Sequence, residues 1–361
     1  MDPDATESAG GLEDRVERAA EEFLELLREG RAPVPGSFVE RHAELGDALR
    51  RRLALMMALQ EAMPGTLHEE SPLRLEGCEI LRELGRGGMG VVWLARQARL
   101  DRLVAIKTVQ HPDRASLPRF EREARLGAAL SHPGIVQVYD LREEGDVLYI
   151  VQEFVDGSSL ADQIRLQGVL PEAGGVEIVH QAAVALQFAH EQGIVHRDVK
   201  PANLLVDRRG RVKVADLGLA RLSSDGEATI TRSGAVLGSI AYMSPEQFED
   251  PRRADARSDV YSLGATLYHA LTGRIPFEAP NPVSIASRHA TAPRPDVRAE
   301  RGELSPRIAA TLQRMMAIRP EDRFQTMAEV ARALGGGRAA AGVSVRWIAG
   351  VGGLVATALV F

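Results

Sequence analysis

Three glycines at the spacing G-x-G-x-x-G, Gly85, Gly87 and Gly90, stand between two runs that favour extended backbone, Glu79 to Leu84 and Val91 to Ala95. This juxtaposition constrains the fold more than any other feature of the chain. In a dinucleotide-binding βαβ unit the same spacing opens a helix. Here Val91, Val92 and Trp93 follow the last glycine, and β-branched and aromatic residues in sequence read as a strand. A strand–glycine loop–strand hairpin can fold over phosphates and donate backbone N–H groups to them, with glycine used where a Cβ would block close approach. The chain has no G-x-x-x-x-G-K-[ST], which excludes a P-loop.

Lysine usage directs the search for chemistry. Of 44 basic residues all but Lys107, Lys200 and Lys213 are arginine (44 − 3 = 41). A compact ammonium beside a phosphate is not freely replaced by a planar guanidinium, so the retained lysines mark places of interest. Lys107 ends Val104-Ala105-Ile106-Lys107, a strand-like run at the distance a third strand requires. Lys200 lies in His196-Arg197-Asp198-Val199-Lys200-Pro201-Ala202-Asn203. The remaining texture is β-rich from Cys78 to about Gln110, with further strand-like runs at Ile135 to Asp140 and Val147 to Phe154. A helix spans Arg119 to Leu130. Beyond Gly157 helices dominate, with short strands at Leu204 to Val206 and Val212 to Ala215. A β-rich part followed by a helix-rich part predicts an α+β protein of two lobes with a cleft between them.

With these motifs in order, the chain resembles the eukaryotic-type protein kinases, and is most similar to the bacterial membrane-associated serine/threonine kinases. The pattern H-R-D-x-x-x-x-N is met at every fixed position. The resemblance implies the bilobal kinase fold, a small β-rich lobe and a large helical lobe. It also implies transfer of the γ-phosphate of ATP to Ser/Thr hydroxyls of proteins, with Mg²⁺ or alternatively Mn²⁺. On that resemblance Asp198 is the base, Lys200 steadies the γ-phosphate, and Asn203 and Asp216 hold the metal. Lys107 contacts the phosphates and pairs with Glu123, and Leu84, Gly85, Arg86, Gly87, Gly88, Met89, Gly90, Val92 and Ala105 cover the nucleotide. Glu153 and Val155 offer hinge backbone to adenine, with Gln152 as gatekeeper. Asp216-Leu217-Gly218 stands where the family has D-F-G, leucine replacing phenylalanine. Ser244-Pro245-Glu246 resembles A-P-E, with Arg323 as the expected ion-pair partner of Glu246, and Asp259 resembles the aspartate that braces the catalytic loop. Between Asp216 and Glu246 lies an activation loop with Thr229, Thr231 and Ser233 as phosphosites and Arg197 as the cation to pair with them. Ser239 replaces the usual threonine there. His180 and His190 read as structural.

The kinase reading covers 77–335. Residues 1–72 form a helical extension and linker, with helical spacing from Asp14 to Leu27 and again from Ser37 to Met63, and with no signal-peptide pattern. Residues 336–342 form a linker, and 343–361 a candidate transmembrane segment. Trp347 to Phe361 carries no charge; as a helix that run rises ~22 Å against a ~30 Å bilayer core, and it spans only with Arg346 snorkelling. Arg338 and Arg346 on its N-terminal side predict a cytoplasmic kinase domain anchored to the inner membrane. Self-association for autophosphorylation is a further implication of the resemblance. A net charge of −6 gives no reason to expect a nucleic-acid partner, and one cysteine, Cys78, excludes an internal disulfide. Two rival readings are weighed. A pseudokinase scaffold requires loss of Lys107, Asp198, Asn203 or Asp216, all present. A small-molecule phosphotransferase of similar fold lacks the Ser-Pro-Glu segment.

Overall fold

The computed structural model describes residues 15–53 in part, and 75–87, 90–110, 127–144, 147–217 and 239–335. It divides into two compact units, Met1–Pro72 and Leu73–Phe361. In the first unit helical segments bury Val16, Ala20, Phe23, Phe38, Leu49 and Leu53 together, and the rings of Phe23 and Phe38 meet edge to face at 5.1 Å. Of the positions that carry the helical spacing, Val16, Ala19, Phe23, Leu45, Leu49 and Leu53 lie in this small core, while Leu24, Leu27, Met56 and Leu59 lie outside the described residues.

The second unit begins with a five-stranded antiparallel sheet: β1 (Cys78–Gly87), β2 (Gly90–Gln97), β3 (Arg102–Gln110), β4 (Val138–Glu144) and β5 (Val147–Glu153), in the order β1-β2-β3-β5-β4. Ala95, Val104, Ile106, Tyr149 and Val151 pack its core. The β1–β2 hairpin runs into the glycines themselves, Gly87 opposing Gly90. Gly90 has φ +139°, and a Cβ there would fall 1.6 Å from the Thr108 carbonyl oxygen, so any other residue is excluded without moving β3. The extended run expected from Ile135 becomes a ladder strand only at Val138, because Ile135 instead bridges in parallel to Val214. Of the helix expected from Arg119 to Leu130, residues 127–129 are helical and those before lie outside the described residues.

Beyond the sheet come β6 (Gly157–Ser159), β7 (Leu204–Asp207) and β8 (Val212–Val214), which form a second, three-stranded sheet. The helices are α1 (Leu160–Gln167), α2 (Glu172–Glu191), α3 (Pro245–Glu249), α4 (Ala256–Thr272), α5 (Pro282–Thr291), α6 (Val297–Glu300), α7 (Pro306–Met315) and α8 (Met327–Gly335). This is the bilobal arrangement of a β-sheet lobe and a helical lobe. Helix α4 is the axis of the large lobe. Asp255 caps its start by accepting from the Arg257 N–H, and Gly273 ends it in the left-handed conformation. Val260, Leu263, Ala265, Leu267, Ala270 and Leu271 are fully buried, and the polar Ser258, Asp259, Ser262 and Thr266 are buried among them, so the helix lies inside the lobe. Gly264 allows α7 to approach, since a Cβ would sit 2.8 Å from that of Met315. Among the described residues no helix is long and apolar enough to cross a membrane; the candidate segment 343–361 lies outside them.

One buried ion pair ties α3 to the end of the domain. Arg323, with no exposed side-chain surface, donates through Nη1 and Nη2 to Glu246 Oε1 and Oε2, both at 2.8 Å, and also to the carbonyls of Arg257, Ala317 and Ile318. Ser258 Oγ donates to Glu246 Oε1 at 2.6 Å. Burial alone would raise the Glu246 carboxyl; hydrogen bonds and charge from Arg323, with the Ser258 bond, outweigh it and hold it below the ordinary glutamate value. Arg323→Met strands that carboxylate and is expected to lower the unfolding free energy by about 3–5 kcal/mol, measured by urea denaturation at neutral pH. A carboxyl lowered in the folded state stabilises above its unfolded pKa of ~4.3, and that contribution is lost as pH falls through the folded value. The stability difference between wild type and Glu246→Gln is therefore expected to stay flat from neutral pH to about 5 and to shrink below about 4.3.

Candidate active site

The loop between α2 and β7 carries the polar residues of the site, and a carboxylate from α4 holds it. Asp259 is fully buried. Its Oδ2 accepts from the His196 N–H at 2.8 Å and lies 2.7 Å from His190 Nε2; its Oδ1 accepts from the Arg197 N–H at 2.7 Å. Burial pushes that carboxyl up, but the His190 hydrogen bond and charge, with the His196 contributions, more than reverse it and hold Asp259 below the usual aspartate value. Arg197 has φ +67°, a conformation that costs a non-glycine residue about 1–3 kcal/mol and persists only where the surroundings over-determine it. Gln247 Nε2 donates to the Arg197 carbonyl at 2.9 Å, so the strained residue is held at both ends of its peptide. His196 itself is buried, with Nε2 2.9 Å from the Ala215 carbonyl, which joins the loop to the strand β8 leading to Asp216.

On this frame three functional side chains meet. Lys200 Nζ lies 2.7 Å from Asp198 Oδ2 and 2.7 Å from Ser239 Oγ. Asn203 Nδ2 donates to the Asp198 carbonyl at 2.8 Å and to its Oδ2 at 3.3 Å. Across the cleft, Lys107 Nζ on β3 pairs with Asp216 Oδ1 at 2.8 Å. Burial would raise the Asp216 carboxyl; Lys107 first, then His196 and Lys200, hold it below the usual aspartate value. Asp216 also has positive φ, +58°, so two strained non-glycine residues flank the site. Lys107 is buried in the β3 ladder opposite Val92 and Ile150, and Ala105 lies opposite Gln152. Gln152, Asp216, Leu217, Ile135 and Val136 line a small cavity of about 20 Å³, room for roughly one water.

Leu84, Gly85, Arg86, Gly87, Gly90 and Val92 all sit on the β1–β2 hairpin, and Glu153 ends β5 with Val155 two residues on. Gly88, Met89, Glu123, Gly218, Thr229, Thr231 and Ser233 lie outside the described residues, so the expected Lys107–Glu123 pair and the phosphosites do too. Among the described residues no three His, Cys, Asp or Glu side chains are grouped to hold a metal. The donor set at hand is an amide oxygen, Asn203 Oδ1, and one carboxylate, Asp216. Such a pair of hard oxygen ligands fits a Mg²⁺-like ion that keeps waters and takes its other ligands from phosphates. In the glycine hairpin Gly90 is required by the close approach of Thr108 on β3, whereas a Cβ at Gly85 would meet nothing within 4 Å. His190 had no signal beyond a helical pattern: its role as a partner of Asp259 depends on a residue 69 positions away.

The protein kinase domain family matches residues 78–333. Serine/threonine-protein kinase PknB of Mycolicibacterium smegmatis is 44% identical over 256 residues, 68% of this chain and 40% of that protein. PrkC of Bacillus subtilis is 41% identical over 251 residues, 69% of this chain and 38% of that one. The chain thus spans about 40% of the length of the curated relatives it matches. Among solved structures, Rad53 1-466 in complex with AMP-PNP aligns with a TM-score of 0.60 at 25% identity, covering 71% of this chain and 64% of that one.

Asp259→Asn turns an acceptor into an N–H facing other N–H groups. It is expected to cost about 3 kcal/mol of stability in urea denaturation, and His190→Gln about 1 kcal/mol.

Proposed function

The chain belongs to the protein kinase family, and from that premise we propose that it transfers the γ-phosphate of ATP to serine and threonine hydroxyls of proteins. The observation that carries this reading is Lys200 Nζ at 2.7 Å from both Asp198 and Ser239. It sets one cation between the base and a hydroxyl-bearing segment that a substrate chain must pass. In the reaction the substrate oxygen attacks the γ-phosphorus, its proton goes to the Asp198 carboxylate, and the bond to the bridging oxygen breaks with its electrons leaving on ADP. The transition state is loose, so the protein's contribution is to position groups and compensate charge. Lys200 takes the charge of the phosphoryl group in transfer, Lys107 that of the remaining phosphates, and the hinge backbone at Glu153 and Val155 fixes adenine. Asn203 Oδ1 and Asp216 would hold magnesium, which when bound would neutralise charge on the phosphates; manganese would suit the same oxygen ligands.

The finer elements of this reading rest on sequence. Thr229, Thr231 and Ser233 are its activation-loop phosphosites, and Arg197 is the cation that a phosphate there would engage. Self-association would let one copy phosphorylate another. The charge-free run from Trp347 to Phe361 would carry membrane contact and leave the kinase domain cytoplasmic. Residues 1–72 are a helical extension without a catalytic role.

Incubation of the full chain with ATP and Mg²⁺ is expected to add mass in steps of about 80 Da, read by intact-mass spectrometry, and Asp198→Asn is expected to add none. No gain in the wild type, and no labelling of an added protein rich in Ser and Thr, would overturn the proposal.

A further inference from the structure

Two of the three lysines have a place in the chemistry above; Lys213 has none. It lies on β8, three residues before Asp216, in a chain that uses arginine almost everywhere else. Its side chain is 14% exposed, and Nζ sits 2.9 Å from Glu153 Oε2 and 3.5 Å from the Ile135 carbonyl. The same Glu153 oxygen accepts from the Gln137 N–H at 3.3 Å, while the Glu153 N–H donates to the Gln137 carbonyl at 2.8 Å. One carboxylate therefore joins three segments: the end of β5, the approach to β4, and β8.

The backbone joins the same segments. The Val136 N–H donates to the Val214 carbonyl at 2.9 Å, and the Val214 N–H to the Gly134 carbonyl at 2.8 Å. From there the connection runs on: the Ala215 N–H donates to the Asn203 carbonyl at 2.9 Å, and the Ala215 carbonyl meets His196. Nearby ion pairs differ. Arg208–Asp156 is about 60% exposed on both sides, where screening leaves such a pair worth little. The Lys213–Glu153 pair is three-quarters or more removed from water. A lysine suits the position because a compact ammonium can serve the carboxylate and the Ile135 carbonyl together, whereas the arginine fork is built for bidentate partners.

We propose that Lys213 is a positioning residue. Its strut to Glu153 makes the hinge edge that receives adenine and the strand that delivers Asp216 move as one unit. The inference rests on the nucleotide-binding reading above and names a residue outside the reacting set.

The test compares full-chain wild type with Lys213→Met, Glu153→Gln, the double variant and Lys213→Arg. Mg·ADP binding is measured by calorimetry, and KM and kcat with ATP. Each of Lys213→Met and Glu153→Gln is expected to weaken Mg·ADP binding about fivefold, and Lys213→Met to raise KM for ATP by a similar factor with a much smaller change in kcat. The double variant is expected to bind no more weakly than either single one, because the two substitutions remove one interaction. Lys213→Arg is expected to recover part of the loss. Should Lys213→Met fail to fold, the near-isosteric Glu153→Gln carries the same comparison against wild type and Lys213→Arg. Unchanged binding in the single variants, or losses that multiply in the double, would overturn the strut. A wild type that binds Mg·ADP but transfers no phosphate would overturn the proposed activity while the strut is still judged on binding; a wild type that binds no nucleotide overturns both.

Discussion

The buried carboxylate of Asp259 is the constraint from which the site is built. An ionised group in an apolar helix costs several kcal/mol unless hydrogen bonds replace its water. Asp259 is held by two consecutive backbone N–H groups and an imidazole. Those two N–H groups belong to His196 and Arg197, and the left-handed turn at Arg197 directly follows them. The hydrogen bonds around Asp259, with the Gln247 bond to the Arg197 carbonyl, offset both the strain at Arg197 and the desolvation of the carboxylate, and the next residue, Asp198, projects from a fixed peptide. Helix α4 holds such a group inside the lobe, where Ser258, Ser262 and Thr266 are buried beside its apolar residues.

The same principle recurs around the site at increasing distance. Asp198 and Lys200 compensate each other, as do Asp216 and Lys107, so the cleft holds two carboxylates and two ammonium groups in close pairs. Triphosphate chemistry needs cations that are present but not committed by geometry, and a lysine on a flexible stem is such a group. Farther out, Glu246 and Arg323 form a fully hydrogen-bonded buried pair whose Ser258 contact lies one residue before Asp259. The brace of the catalytic loop and the anchor of α3 are therefore adjacent on one helix.

Much of the small lobe and the catalytic loop was legible because their signals are local. The β1–β2 hairpin follows from glycines flanked by β-branched residues, and the loop from eight consecutive residues with fixed spacing. What stayed illegible depends on long-range contact. β6 is three residues long and exists by pairing with β7, and no periodicity can announce it. Ile135 looked like the start of a strand, yet its backbone is taken by Val214 from the other lobe. His190 and Lys213 find their partners 69 and 60 residues away, so residue type alone drew attention to the lysine, and the helical pattern that made the histidine structural could not name its partner. Lys107 was expected opposite Glu123; Asp216 is the partner among the described residues, and Glu123 lies outside them.

The central claim is that this arrangement delivers phosphate to an aliphatic hydroxyl held at Asp198. The most direct measurement is phosphoamino-acid analysis of a basic protein containing serine, threonine and tyrosine, after incubation with the full chain and γ-labelled ATP in Mg²⁺. The account predicts phosphoserine and phosphothreonine without phosphotyrosine. Label on tyrosine, or release of inorganic phosphate with no labelled amino acid, would contradict it.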